Sequence, residues 1–326
     1  MNYKQLIKSN KFIRQIGKKI NIQKQFKQDA YDFGKYYLES AQTNGDWKYA
    51  ILLHVHSLEK GMCFDNPRPF GAEKAIELVK MLSTYPDRQK NEFEYLMGIS
   101  ILFSWIEFYK KQGWEKEFGY IEIKNYLIDK NKYNVLKTGV QKYTPEYTVD
   151  YSETIEKSLF SRHSVRDFQD KKIDFADIQF ALKWFIETPT ACNRQMCRVY
   201  YINDKSIKDL LNEVVIGIPG FNKSTVQFFV ITYDLACFAY SGERQQGMFN
   251  AGLCTMNFIN GLHVKGIGSC CLQWSNKYYQ DSKVRKMLKL KESERIGIVI
   301  GAGYYLESYN IPCSVRRSTE DIFKVI

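Results

Sequence analysis

Ser161-Arg162-His163-Ser164-Val165-Arg166-Asp167-Phe168 stands almost at the midpoint of a 326-residue chain, and the sequence changes character across it. Between Arg162 and Arg166 the octamer carries two guanidinium groups, an imidazole and a hydroxyl, and it closes on the apolar Phe168. Arginine presents a planar fork of donors that suits phosphate and carboxylate oxygens. The stretch therefore reads as the anchor of an anion site, with a solvated basic turn as the plain alternative. Two later segments add weight to the first reading: Pro189-Thr190-Ala191-Cys192-Asn193-Arg194-Gln195 and Ile311 to Ser318.

Upstream of the octamer the pattern is helix after helix. Asp29 to Ala41, Trp47 to Lys60, Ala72 to Leu82, Asn91 to Tyr109 and Gly119 to Asp129 carry apolar residues at helical spacing. Asp46 is placed to cap the second of these, and Gly61 to stop it. Downstream, strands and helices alternate. Asp174 to Glu187, Ser206 to Val214, Phe249 to Val264 and Tyr279 to Leu288 read as helices. Val199 to Ile202, Val226 to Tyr233, Gly266 to Trp274 and Ile296 to Tyr305 read as strands. The unbroken apolar run at 226–233 marks a strand buried on both faces. The expected fold class is α+β: a layered sheet flanked by helices, preceded by an all-helical domain. The expected domains are residues 1–145 and 146–326, joined near Thr144-Pro145.

An apolar share of 44% with 15% aromatics fits a packed protein, and a net charge of +11 admits anionic partners without choosing among them. Lys4, Lys8, Lys11, Arg14, Lys18, Lys19, Lys24 and Lys27 all precede the first acid, Asp29. A solvated arm is the first expectation there, and peripheral contact with an anionic membrane the second. No nucleic-acid motif accompanies the charge, so no nucleic-acid partner is expected. The eight cysteines are scattered and mostly lie in apolar runs, which argues against a disulfide framework, a zinc site or a reactive thiol. No apolar segment follows the basic N-terminus, and Tyr95 to Phe108 is shorter than the ~20 residues a bilayer needs. A cytoplasmic protein is expected. His54, His56, Glu59 and Lys60 cluster on one helix, but His-x-His on a helix diverges, so no metal is expected.

Taken together, four blocks resemble the FMN-dependent nitroreductase family. They are Arg162-His163-Ser164-x-Arg166-x-Phe168, Pro189 to Gln195, Asn250-Ala251-Gly252 with Gly266-Ile267-Gly268-Ser269-Cys270, and Ile311-Pro312 through Arg316-Arg317. The helical front half, with His56-Ser57-Leu58-Glu59-Lys60-Gly61, is similar to the extension of nitroreductase-like proteins linked to polysaccharide biosynthesis. The resemblance implies FMN as cofactor, NAD(P)H as hydride donor, a small acceptor and a homodimer with the flavin at the subunit interface. It further implies that Arg162 with Arg316 or Arg317 holds the phosphate, with Ser164 donating beside them and His163 orienting or packing. Arg166 would reach the pyrimidine edge, and a cation there raises the flavin's reduction potential. Pro189, Thr190, Ala191, Asn193 and Gln195 would line the ring's polar edge, and Gly266, Gly268 and Ser269 would let backbone approach it. Asn250 would cap the central helix. Met196 and Cys197 depart from the family's Pro-Trp, and the stretch from Asp234 to Met248 is short where many members carry a lid. On that account the acceptor pocket is expected to be completed by the front half through His54, His56, Glu59 or Arg68. The alternative expectation is a non-catalytic FMN- or anion-binding partner in a biosynthetic assembly.

Overall fold

A computed structural model describes residues 11–39, 47–142 and 150–326. Lys4, Lys8, Asp46 and Thr144-Pro145, and with them the expected boundary at 145, lie outside the described residues. The front half is helical: α1 (Lys11–Glu39), α2 (Lys48–Met62), α3 (Ala72–Ser83), α4 (Phe93–Gln112) and α5 (Tyr120–Leu127). The back half follows as α6 (Ser152–Ser161), α7 (Phe175–Ile186), β1 (Cys197–Ile202), α8 (Lys205–Val214) and β2 (Gln227–Asp234). It continues through α9 (Gln246–Val264), β3 (Ile267–Leu272), α10 (Tyr278–Met287), β4 (Glu294–Tyr304) and α11 (Thr319–Ile322). The mixed class expected from the sequence is what the chain adopts.

The front core forms where the apolar stripes of α2, α3 and α4 meet. Ile51, Leu52, Val55 and Leu58 pack with Leu78, Leu82, Ile99, Leu102 and Trp105 in one buried cluster. Phe70 closes it from the loop. Its amide donates to the Tyr109 hydroxyl at 2.8 Å, and its carbonyl accepts from that hydroxyl and from the Trp105 indole. This packing corrects the expected stop at Gly61. The helix runs on to Met62, and the Phe70 ring lies where a Gly61 side chain would stand, 2.0 Å from a built Cβ. Glycine serves contact there, not termination.

The sheet is antiparallel throughout, in the order β1-β2-β4-β3. Side chains of a strand alternate between faces, and β2 is apolar on both. Phe229 and Ile231 share a core with Ile178, Ala181, Phe258 and Leu262 of α7 and α9. Phe228 and Val230 share the opposite core with Leu210, Leu211 and Val284 of α8 and α10. At the bulge between Ile231 and Thr232, Gly297 packs against Ala251 of α9.

The two halves meet along α1 and α2. Phe33, Tyr36 and Tyr49 join the core that holds Leu235, Cys237 and Phe238. The Tyr49 hydroxyl donates to Asp234 at 3.1 Å, and Arg295 pairs with Asp32 at 2.6 Å. The solvated arm expected for the basic N-terminus is, from Lys11 onward, the first part of α1. All eight cysteines are unbridged, and Cys197, Cys237, Cys254 and Cys270 are buried. No helix among the described residues is long and apolar enough to cross a membrane.

Candidate cofactor site

Helix α6 delivers the basic octamer to the edge of the sheet. Arg162 ends the helix in extended conformation, Ser164 forms a parallel bridge with Ser269 of β3, and the Val165 amide donates to the Ser269 carbonyl at 3.0 Å. Buried Val165 and Phe168 nail the segment down, with Phe168 filling the space over Gly303. Arg166 is left exposed, and Arg162, His163 and Ser164 are half-buried. The Arg162 Nε is buried and has no hydrogen-bond partner in the chain. A buried guanidinium donor without an acceptor is costly, and an anion would satisfy it. Burial pushes the Cys270 thiol up, while the Arg166 charge, the Ser164 hydroxyl and the Arg162 charge oppose that rise. A phosphate and a ring edge fit this donor set.

A relay behind the octamer fixes its position. The Ser161 hydroxyl donates to the Ser158 carbonyl at 3.1 Å, so it accepts from His263 Nε2 at 2.9 Å. That leaves His263 Nδ1 to accept from the Tyr305 hydroxyl at 2.8 Å. Burial pushes the Tyr305 pKa up to about 12, which keeps the donor protonated. Burial, and then the Arg162 and His163 charges, hold the His263 pKa below the ordinary 6.5. The buried neutral imidazole therefore costs the fold nothing above pH 6.5, and stability falls below it as the unfolded chain takes up a proton that the folded chain resists. The urea midpoint should fall on acidification through that range, and His263→Phe should lose that part of the slope. A slope unchanged by the substitution would show that His263 does not set it.

The loop from Pro189 to Gln195 is held in a strained form. Cys192, Asn193 and Gln195 have φ of 53°, 51° and 50°, a region that side chains disfavour. The Thr190 hydroxyl accepts from the Gln195 amide at 3.0 Å, and the Ala191 amide donates to Asn250 Oδ1 at 2.8 Å. Asn250 lies inside α9, whose first flanking residue is Gln245, and its Nδ2 donates to Gln246. Its role as helix cap is thereby corrected: the side chain ties the loop to the helix. Arg194, only 1% exposed, donates to the Ala191 and Cys237 carbonyls and pairs through both terminal nitrogens with Glu243. Glu243 in turn accepts from the Ala239 and Tyr240 amides.

Within one chain these blocks are apart. The Pro189–Gln195 loop is tied to Asn250 and Ser161 to His263. Those anchors lie 13 residues apart along α9, on the order of 20 Å at helical rise. Arg316 and Arg317 are exposed, and Arg316 donates to the Ser314 carbonyl. Gly268 is occupied by the Tyr305 ring and Val165, whereas Gly266, at φ 71°, faces open space.

Residues 159–304 match the family model described as the nitroreductase family. This stretch is a nitroreductase-family domain. Among solved structures, a nitroreductase family protein from Streptococcus pneumoniae is 20% identical. That match covers 53% of this chain and 100% of that one, at a TM-score of 0.44. An FMN-dependent nitroreductase from Clostridium difficile is also 20% identical, covering 51% of this chain and 92% of that one at 0.41. A search of curated proteins returns no match.

Of the front-half candidates, His54, His56 and Glu59 have partners within the helical half. His54 is engaged by the Ala50 carbonyl at 2.8 Å and by Glu77 at 3.1 Å, both in the helical half. Glu59 faces the Gly139 amide; burial raises its pKa and that amide opposes the rise. His56 approaches Glu59 only to 4.0 Å, and burial, with Lys60, lowers its pKa. Arg68 is exposed. Among the described residues no group of three or more metal-ligating side chains occurs. Helix α2 does pack beside the 191–193 turn of the nitroreductase domain. Sequence reasoning passed over Arg194, Glu243, His263 and Tyr305, since each is defined by a partner tens of residues away.

Proposed function

We propose that the chain is an FMN-dependent oxidoreductase that takes hydride from NAD(P)H and passes reducing equivalents to a small acceptor. The observation that carries this reading is the buried, partnerless Arg162 Nε at the end of α6, beside Ser164 and Arg166. The family match over residues 159–304 supports the same class. FMN, when bound, supplies the hydride-accepting and hydride-donating chemistry. The chain's own residues bind and orient it: Arg162 and Ser164 neutralise and hold the phosphate, and Arg166 places a positive charge at the ring's polar edge.

A second copy completes the site in this proposal, because one copy holds its blocks at opposite ends of α9. Phe249, Leu253 and Met256, on one stripe of that helix, are exposed, as are Ile155, Leu159 and Phe160 of α6. The tail beyond Tyr309 is exposed along its whole length, with Val315, Ile322, Phe323 and Val325 bare. Apolar surface of that extent is covered in stable proteins. A homodimer would bury it, bring Asn193 and Gln195 of one copy toward Arg162 of the other, and give Arg316 or Arg317 an anion to contact.

The test is anaerobic. Protein reconstituted with FMN should be yellow and should bleach on addition of NADH or NADPH. A yellow protein that both reductants leave unbleached would instead mark a flavin-binding partner protein, and failure to bind FMN would remove both readings.

A further inference from the structure

Helix α1 divides near Asp32 into an exposed stretch and a seated one. Residues from Asp32 onward are seated: Asp32 pairs with Arg295, Lys35 with Glu292, and Phe33 stacks on Phe238. Between Gln15 and Tyr31 no side chain is buried. Yet this stretch is not polar: Ile16, Ile20, Ile22 and Phe26 are exposed, by 43%, 47%, 55% and 69%. At helical spacing these four fall within an arc of about 160°. Helices draw most of their stability from packing an apolar face, so this one calls for a surface.

Charge identifies the surface. Lys11, Arg14, Lys18, Lys19, Lys24 and Lys27 lie in the first part of α1, and no acid precedes Asp29. Two copies laid side by side would place like charges together with no counter-charge between them. An anionic bilayer offers the opposite sign and an apolar layer at the same depth. Lys19 and Lys27, which fall among the apolar positions, have stems long enough to lift their ammonium groups to the headgroups.

We propose that residues 15–28 of α1 lie in the interface of an anionic membrane, with Ile16, Ile20, Ile22 and Phe26 in the acyl boundary. The full chain should sediment with vesicles of phosphatidylglycerol and phosphatidylcholine in equal parts and stay in solution with phosphatidylcholine alone. Added salt should release it. Each basic residue near such a surface contributes roughly fivefold in affinity, so Lys18→Glu with Lys24→Glu should weaken binding at least about twenty-five-fold. Ile20→Asp with Phe26→Asp should do the same while leaving FMN content unchanged, which separates this proposal from the oxidoreductase reading. A full chain that ignores both vesicle types overturns it, as do substitutions without effect on vesicle binding. If the Ile20 and Phe26 changes dissociate an oligomer and vesicles are never bound, a second copy is the occupant and the proposal falls.

Discussion

Replacing Arg162 with alanine should abolish retention of FMN. The guanidinium is held half-buried at the end of α6 with its Nε buried and unpaired. Hydrogen bonds to a charged group contribute about 1.5–3 kcal/mol each. Two of them lost from one phosphate correspond to roughly two to four orders of magnitude in affinity. Titration of FMN followed by its fluorescence measures this directly. Arg162→Lys keeps the charge but loses the planar fork, so it should recover only part of the affinity. Both variants should keep the far-ultraviolet circular dichroism of the parent, because the buried Arg162 Nε has no hydrogen-bond partner in the chain for the fold to lose. An Arg162→Ala protein that binds FMN as tightly as the parent would end the cofactor assignment.

The second large effect belongs to Glu243. Arg194 is almost wholly enclosed, and Glu243 supplies its counter-charge. Glu243→Ala leaves that guanidinium with two backbone carbonyls, and breaking such a buried pair costs about 3–5 kcal/mol. Urea denaturation should show the loss. Arg194→Met together with Glu243→Leu should restore much of it, since apolar replacement of both partners removes the stranded charge. On the acid side, burial alone would raise the Glu243 pKa. Arg194 and the Ala239 and Tyr240 amides outweigh it and hold the carboxyl below its ordinary 4.5. The pair's stabilisation is therefore complete above pH 4.5 and fades as pH falls through the lower folded value. The clamp also has work beyond stability. Three left-handed side-chain residues at 192–195 cost at least about 1 kcal/mol each, and Arg194, which lies among them, holds the Ala191 carbonyl at their head. Loosening it should let Asn193 and Gln195 relax, so Glu243→Ala should weaken FMN binding too.

The regular elements were largely legible in the sequence, for a physical reason. β2 is apolar on both faces because helices cover both, and α3, α5, α7, α8 and α10 carry stripes that end within about two residues of the expected limits. The stretch of α1 before Asp29 was hidden because its apolar arc is broad and interrupted by Lys19 and Lys27, and none of its side chains from Gln15 on is buried. Gly61 and Asn250 were misread because each has a local role by default, a stop and a cap, that a distant partner overrides: Phe70 in one case, Ala191 in the other. The chemistry was legible as composition, as in the arginines and hydroxyl of the octamer. Its support was not. Nothing in the spacing links Arg194 to Glu243 or Ser161 to His263, and those pairings arise only once α9 lies against the loop and α6.

The seam between the halves carries a practical consequence. Phe33, Tyr36 and Tyr49 belong to the same apolar cluster as Leu235 and Phe238, and Asp32 neutralises Arg295. A polypeptide trimmed to the matched residues 159–304 would therefore bare an aromatic scar and strand a cation. It should be recovered from inclusion bodies, because in the full chain the helical half covers that surface and supplies the counter-charge.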